Sequence, residues 1–243
     1  MVSEEKPGQI ESAVLGVAAI LPFQAFKTWI TAYFRPSAAI KAGPASLGAA
    51  AKNLATAGFL VGLVSGIVAF LLIALFSGLY SAGTMMGFSG ISAGGSPSLA
   101  GGIVTLVTIA VLTPILYVIG GFIGSAVFFV LAKILGGKGS YTMQTHAFAL
   151  VMCGAALLSL PFQILGVIPL IGMVFELAMM LIMLYALYSY YRAIKAVHQL
   201  SQMRAIAVIV LPIIVLVVLM VVLLGAAFLA MLGMAGAMAG TVR

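Results

Sequence analysis

Apolar residues run through this chain in blocks that only a few charges interrupt. Residues 53–132, 139–175, 177–191 and 205–242 contain no Asp, Glu, Lys or Arg. As one helix the first block would extend about 120 Å, against a hydrocarbon core of roughly 30 Å. It must therefore fold back, and the Gly- and Ser-rich stretch around Pro97 at 81–101 marks where. This predicts spans at about 54–80 and 102–132, with Pro114 kinking the second. The stretch 139–191 fits two spans, about 145–163 and 169–191, turning between Pro161 and Pro169. A fifth runs from Ala205 to about residue 230.

Ahead of these spans the period changes. At 100° per residue, Phe23, Phe26, Trp29, Ile30, Tyr33 and Phe34 share one face of a short helix over about 22–36, while Gln24, Thr28, Thr31 and Arg35 share the other. Pro22 suits its first turn and Pro36 stops it. The pattern predicts an amphipathic interfacial helix that lies on lipid or presents a docking face. The same stripe would also serve a collar packed on the bundle. The expected fold is all-α: a segment 1–52 carrying this helix, then a five-helix transmembrane domain over 53–243.

Composition supports lipid as the solvent. With 64% hydrophobic and 6% charged residues, the chain lacks the polar surface that would cover a water-soluble fold. The net charge of +7 forms no basic patch interleaved with aromatics, which excludes a nucleic-acid reading. Lys6, Lys27, Arg35, Lys41 and Lys52 precede the first span. Lys133 and Lys138 separate the second and third, and Arg192, Lys195 and Arg204 separate the fourth and fifth. Five spans place all of these on one side and leave only Arg243 on the other. The positive-inside rule then predicts a cytoplasmic N-terminus and an outer C-terminus. Tyr185, Tyr188, Tyr190 and Tyr191 run into Arg192, as residues anchoring a helix at the membrane surface do. Ser3-Glu4-Glu5 at the start does not read as a cleavable signal.

Candidate chemistry is sparse: no Asp, four Glu, two His, and Cys153 alone in an apolar run. No metal or cofactor site is expected. Gly87-Phe88-Ser89-Gly90 matches the G-x-S-G of rhomboid proteases. The expected topology separates Ser89 from His146 and His198 by a membrane thickness, so no base can reach it. Leu135-Gly136-Gly137-Lys138-Gly139-Ser140 departs from a P-loop at Ala132 and Gly139 and reads as a tight turn. Both histidines read as exposed rings at helix ends. Glu176 is the one acidic residue at membrane depth, where a carboxylate is a relay candidate, or a protonated or hydrogen-bonded group facing other helices or reaching the nearby outer interface. Gly58, Gly62 and Gly66, with Gly120 and Gly124 on the next span, offer small-residue faces for close packing within the chain or between copies.

The second half of the chain resembles the Yip family, the Ypt-interacting-protein group of five-pass membrane proteins. The resemblance rests on residues 135–141 leaving the second span, on the turn from Pro161 to Pro169 with Gly172, and on Ala196-Val197-His198-Gln199-Leu200-Ser201-Gln202-Met203-Arg204-Ala205 before Leu211-Pro212. It implies a non-enzymatic scaffold or adaptor in membrane organisation and vesicle traffic. Its cytoplasmic face would recruit membrane or cytoplasmic partners, among them Rab-type small GTPases. Eukaryotic members carry a longer polar N-terminal region, so the expectation is a prokaryotic relative in the cell membrane rather than one of the ER or Golgi. Lys133, Lys138, Arg192, Lys195 and Arg204 are the expected contacts to that partner or to anionic lipid. The rival is a small transporter or channel using Glu176 and the Gly-rich helices.

Overall fold

The computed structural model of the chain describes residues 24–41, 45–85, 98–166, 168 and 172–240. Its described residues form seven helices and no strand: α1 (Gln24–Phe34), α2 (Pro36–Lys41), α3 (Leu47–Met85), α4 (Leu99–Ile134), α5 (Tyr141–Leu165), α6 (Gly172–His198) and α7 (Gln202–Gly240). The last five are long and apolar enough to cross a membrane. They start earlier or end later than the charge gaps indicate, because hydrogen-bonding caps set their ends. Ser46, Ser98 and Ser140 each accept a backbone N–H from the first turn of α3, α4 and α5. Lys52 thus lies inside α3, while Arg192 and Lys195 lie in the last turns of α6. Pro161 does not open the turn after α5. The helix runs through it to Leu165, since a proline forfeits one backbone bond that packing within the membrane tolerates. Most of the Gly- and Ser-rich break before α4, residues 86–97, lies outside the described residues, as does Ser89.

The aromatic stripe on α1 is turned into the protein. Trp29, Ile30, Tyr33 and Phe34 are buried, and Phe26 is half-buried with its ring 5.3 Å from that of Trp29. Phe23 lies outside the described residues. The stripe faces α5 at Gly154, where a Cβ would stand 2.5 Å from the Trp29 carbonyl oxygen and 2.7 Å from the Tyr33 Cβ. Polar contacts fix the register. Trp29 Nε1 donates to Asn53 Oδ1 at 3.2 Å, and Tyr33 Oη donates to the Ile182 carbonyl at 2.6 Å. At the C-terminal end of α1, Ser189 Oγ and Arg192 Nη1 supply donors for the Tyr33 and Phe34 carbonyls. Burial pushes the Tyr33 hydroxyl well above the usual phenol range, so it remains a donor. An interfacial helix and a docked one share the same stripe; here the collar arrangement holds, and the face expected against lipid contacts α3, α5 and α6.

Helices α3 and α4 cross by close approach. A Cβ at Gly58 would lie 2.7 Å from Pro114 Cα, at Gly62 2.8 Å from Thr113 Cβ, and at Gly66 3.0 Å from the Leu106 carbonyl. These three glycines therefore pack within the chain, as small residues do where helices approach without a hydrophobic driving force. Gly120 and Gly124 do not extend that contact. Gly120 meets nothing within 4 Å and Gly124 only the Phe148 ring edge at 3.7 Å. The close position is instead Gly121, one helical step away, where a Cβ would be 2.6 Å from Leu54. Gly62→Leu is expected to separate α3 from α4 and lower stability by roughly 1–3 kcal/mol. Gly120→Ala, whose Cβ meets open space, should be neutral or stabilising by up to about 1 kcal/mol. Unfolding by SDS titration from mixed micelles measures both.

Candidate functional site

The end of the molecule where α4 turns into α5 and α6 into α7 holds most of its polar organisation. The Leu-Gly-Gly run after α4 is a helix stop. Gly136 takes φ +89°, which favours glycine. Its N–H bonds to the Lys133 carbonyl at 3.0 Å, and that of Gly137 reaches back to Ala132 at 2.8 Å, the paired closure of a Schellman cap. These amides are thereby used up, which is why the run is a tight turn and not a phosphate cradle. The turn after α6 interlocks with it. Lys138 N donates to the His198 carbonyl at 3.1 Å, and Arg204 Nη1 donates to the Leu135 carbonyl at 3.3 Å. A Cβ at Gly137 would be 2.6 Å from His198 Nδ1, and one at Gly139 2.7 Å from the Val197 carbonyl. Gln199 completes the second turn at φ 53°, a conformation that side chains other than glycine adopt at a cost.

Beneath the turns lies a buried polar node. Gln144, fully buried on α5, donates from Nε2 to the Ser125 carbonyl of α4 and to the Tyr190 hydroxyl of α6, both at 2.9 Å. Its Oε1 meets His198 Nε2. The Ser125 carbonyl can only accept, so it fixes which way the amide points, and the amide in turn makes His198 Nε2 the protonated nitrogen. Nδ1 is then a buried lone pair without a partner. Ser125 Oγ also pairs with Thr145 Oγ1 at 2.9 Å, while Phe128 and Phe148 set their rings edge-on to Tyr190 at 5.1 and 4.9 Å. His198 and His146 are therefore buried, contrary to the reading of exposed rings at helix ends.

Helical phase divides the tyrosine row rather than anchoring it as a unit. Tyr190 enters the node, Tyr185 packs 5.1 Å from Tyr33, and Tyr188 is exposed with the Arg192 guanidinium 5.7 Å from its ring. All five predicted basic contacts come together at this end. Lys133 stands 5.5 Å from the Phe129 ring; it, Lys138, Lys195 and Arg204 are exposed, and Arg192 is partly turned inward. Glu176, the only acidic residue among the described ones, lies near the start of α6 at the opposite end. It is exposed there beside Met173, Val174 and Leu177. Ser65, Gln163 and Ser159 are used between α3 and α5, at 3.0 and 3.2 Å. Among the described residues no three His, Cys, Asp or Glu gather where they could hold a metal.

Gln144→Leu leaves His198 Nε2 unpaired in the interior and takes one partner from Tyr190 and one from the Ser125 carbonyl, an expected loss on the order of 3 kcal/mol by SDS unfolding. Gln199→Gly relieves the left-handed strain and should leave stability unchanged or raise it by up to about 1 kcal/mol in the same assay.

No curated protein and no solved structure shows significant similarity to the chain. The family model for the Yip1 domain matches residues 56–224, from the third turn of α3 to the exposed part of α7. The match takes in both interlocked turns and the whole Gln144 node, and it leaves α1 outside. The Yip1 family is not known as a family of enzymes. With five apolar helices and this match over more than half its length, the chain is an integral, multi-pass membrane protein that belongs to the Yip1-domain family.

Proposed function

We propose that the protein is a non-enzymatic membrane scaffold whose basic end faces the cytoplasm and there engages lipid headgroups and a partner protein. One observation carries this reading: a cluster of exposed cations at the end where two short turns interlock. Exposed cations on a rigid base favour contact over turnover. The polar groups beneath them are occupied with one another, as in a structural node. Lys133, Lys138, Lys195 and Arg204 supply the contact charge, and Arg192 supports it from the α1 side. The positive-inside rule supports the orientation, since five spans leave only Arg243 on the other side. A small GTPase is one class of partner that membership of the family suggests.

The transporter reading has less support. Glu176 is exposed at the far end, and Gly58, Gly62 and Gly66 are packed against α4.

Two measurements test the proposal. In native membranes, a photo-crosslinker at position 201, exposed at the same end, is expected to capture a protein partner, and replacing Lys133, Lys138 and Lys195 by Gln should reduce that capture severalfold while insertion is retained. Undiminished capture would overturn the contact surface. In proteoliposomes, Glu176→Gln should leave ion and solute flux as in the wild type; flux present in wild type and lost in the variant would sink the scaffold reading.

A further inference from the structure

The cations at the basic end are not equivalent. Arg192 reaches the Phe34 carbonyl and the Tyr188 ring, so its charge lies toward α1. Lys133, Lys138 and Arg204, in contrast, are tied to one turn. The Lys133 carbonyl closes it, the Lys138 amide pins it to His198, and Arg204 Nη1 rests on the Leu135 carbonyl. All three residues are exposed.

Apolar neighbours of two of them are highly exposed as well: Ile134 at 72% and Met203 at 79%. Each follows or precedes a cation directly in sequence. One turn farther into the helices, Val130 and Ile206 are exposed as well. Lys133 is the penultimate residue of α4 and Arg204 the third of α7, and the segments linking the helices are short. No long loop carries these charges away from the apolar helices. They therefore stand at the level where an apolar helix surface gives way to water, which in a bilayer is the headgroup layer. Among the described residues no carboxylate accompanies them, since the one acidic residue there, Glu176, lies at the opposite end.

We propose that Lys133, Lys138 and Arg204 form a site for the phosphate of an anionic phospholipid, with Ile134 and Met203 against the upper acyl chains. A guanidinium has five N–H donors. One Arg204 nitrogen rests on Leu135, and the other donors can serve the phosphate in charge-assisted bonds. The lysines contribute charge without directional demand, which suits a headgroup of variable orientation. The placement of the three cations between apolar side chains favours a lipid over a soluble partner, which would have to reach into the headgroup layer to contact them. The proposal rests on the function proposed above only in taking this end as flanked by membrane; it holds on either side of the bilayer.

Native mass spectrometry of the full-length protein, titrated with phosphatidylglycerol or phosphatidylcholine in detergent, tests it. Phosphatidylglycerol is expected to be retained preferentially. Lys133→Gln and Lys138→Gln, surface changes that leave the turn intact, should each weaken that retention roughly fivefold. Lys27→Gln and Lys52→Gln, exposed cations elsewhere, should not weaken it. Equal retention of the two lipids, or equal loss in the Lys27 and Lys52 variants, would overturn the site. Displacement of the lipid by inorganic phosphate at similar concentration would overturn the lipid as its ligand. A Ser201→Cys protein, changed at an exposed position in the α6–α7 turn outside the site, that is labelled only from the outer side with lipid retention intact would refute the proposed orientation and leave this site standing.

Discussion

A single buried carboxamide holds the organised end of this protein together. Gln144 uses both amide hydrogens and its oxygen, and the three bonds go to α4 through Ser125 and to α6 through Tyr190 and His198. In a dry interior each partner would cost free energy if left alone, so the three helices can meet here in only one rotational phase. Apolar packing alone would not set that phase, because lipid tails cover a leucine as well as another helix does. Once Tyr190 and His198 are fixed, the α6–α7 turn is fixed, and Lys138 and Arg204 then tie it to the α4–α5 turn. The surface cations inherit their positions from this buried node.

Much of the architecture was legible in the sequence because charge is excluded from hydrocarbon. The gaps between charges reveal that there are spans, and Gly58, Gly62 and Gly66 reveal a close helix crossing. The same signal is blind to where a helix ends. Ser46 starts α3 ahead of Lys52, and Lys195 sits within α6, because caps and terminal turns accommodate polar groups that the gaps treat as boundaries. The distinction between Gly120 and Gly121 was also out of reach. Both fall in one apolar run, and only the crossing with α3 selects between adjacent residues.

The candidate site was half readable. Its cations could be grouped from topology, since positive charge collects between spans. Its buried node could not, because Gln144, Thr145 and Ser125 lie in stretches whose apolar character dominates any window average. Their significance is pairwise and depends on three helices meeting. The histidines failed for a related reason: a ring near the end of a helix is exposed or buried according to what covers the end, and here the Gly136–Gly137 stop folds back over His198. The stripe on α1 was plain in the sequence, but its direction depended on partners for Trp29 and Tyr33 that only the tertiary structure supplies.

The distribution of packing then bears on how such a protein works. Helix α7 buries Ala205, Val208 and Ile209 near its start, but from Ile213 onward its described side chains are largely exposed, as Val215, Leu216 and Leu219 illustrate. In water such a helix would be a liability; in a bilayer its exposed surface exchanges one apolar contact for another at little cost. The first half of α6 is exposed in the same way through Val174, Leu177 and Leu181. Stability therefore concentrates at the end where backbone and side-chain polar groups are locked, while the first half of α6 and the described side chains of α7 from Ile213 to Ala226 are largely exposed. A conduit needs polar side chains continued along the bundle from one end to the other. The scaffold proposed above requires one rigid surface set at a defined height, a requirement that fits the interlocked turns above Gln144.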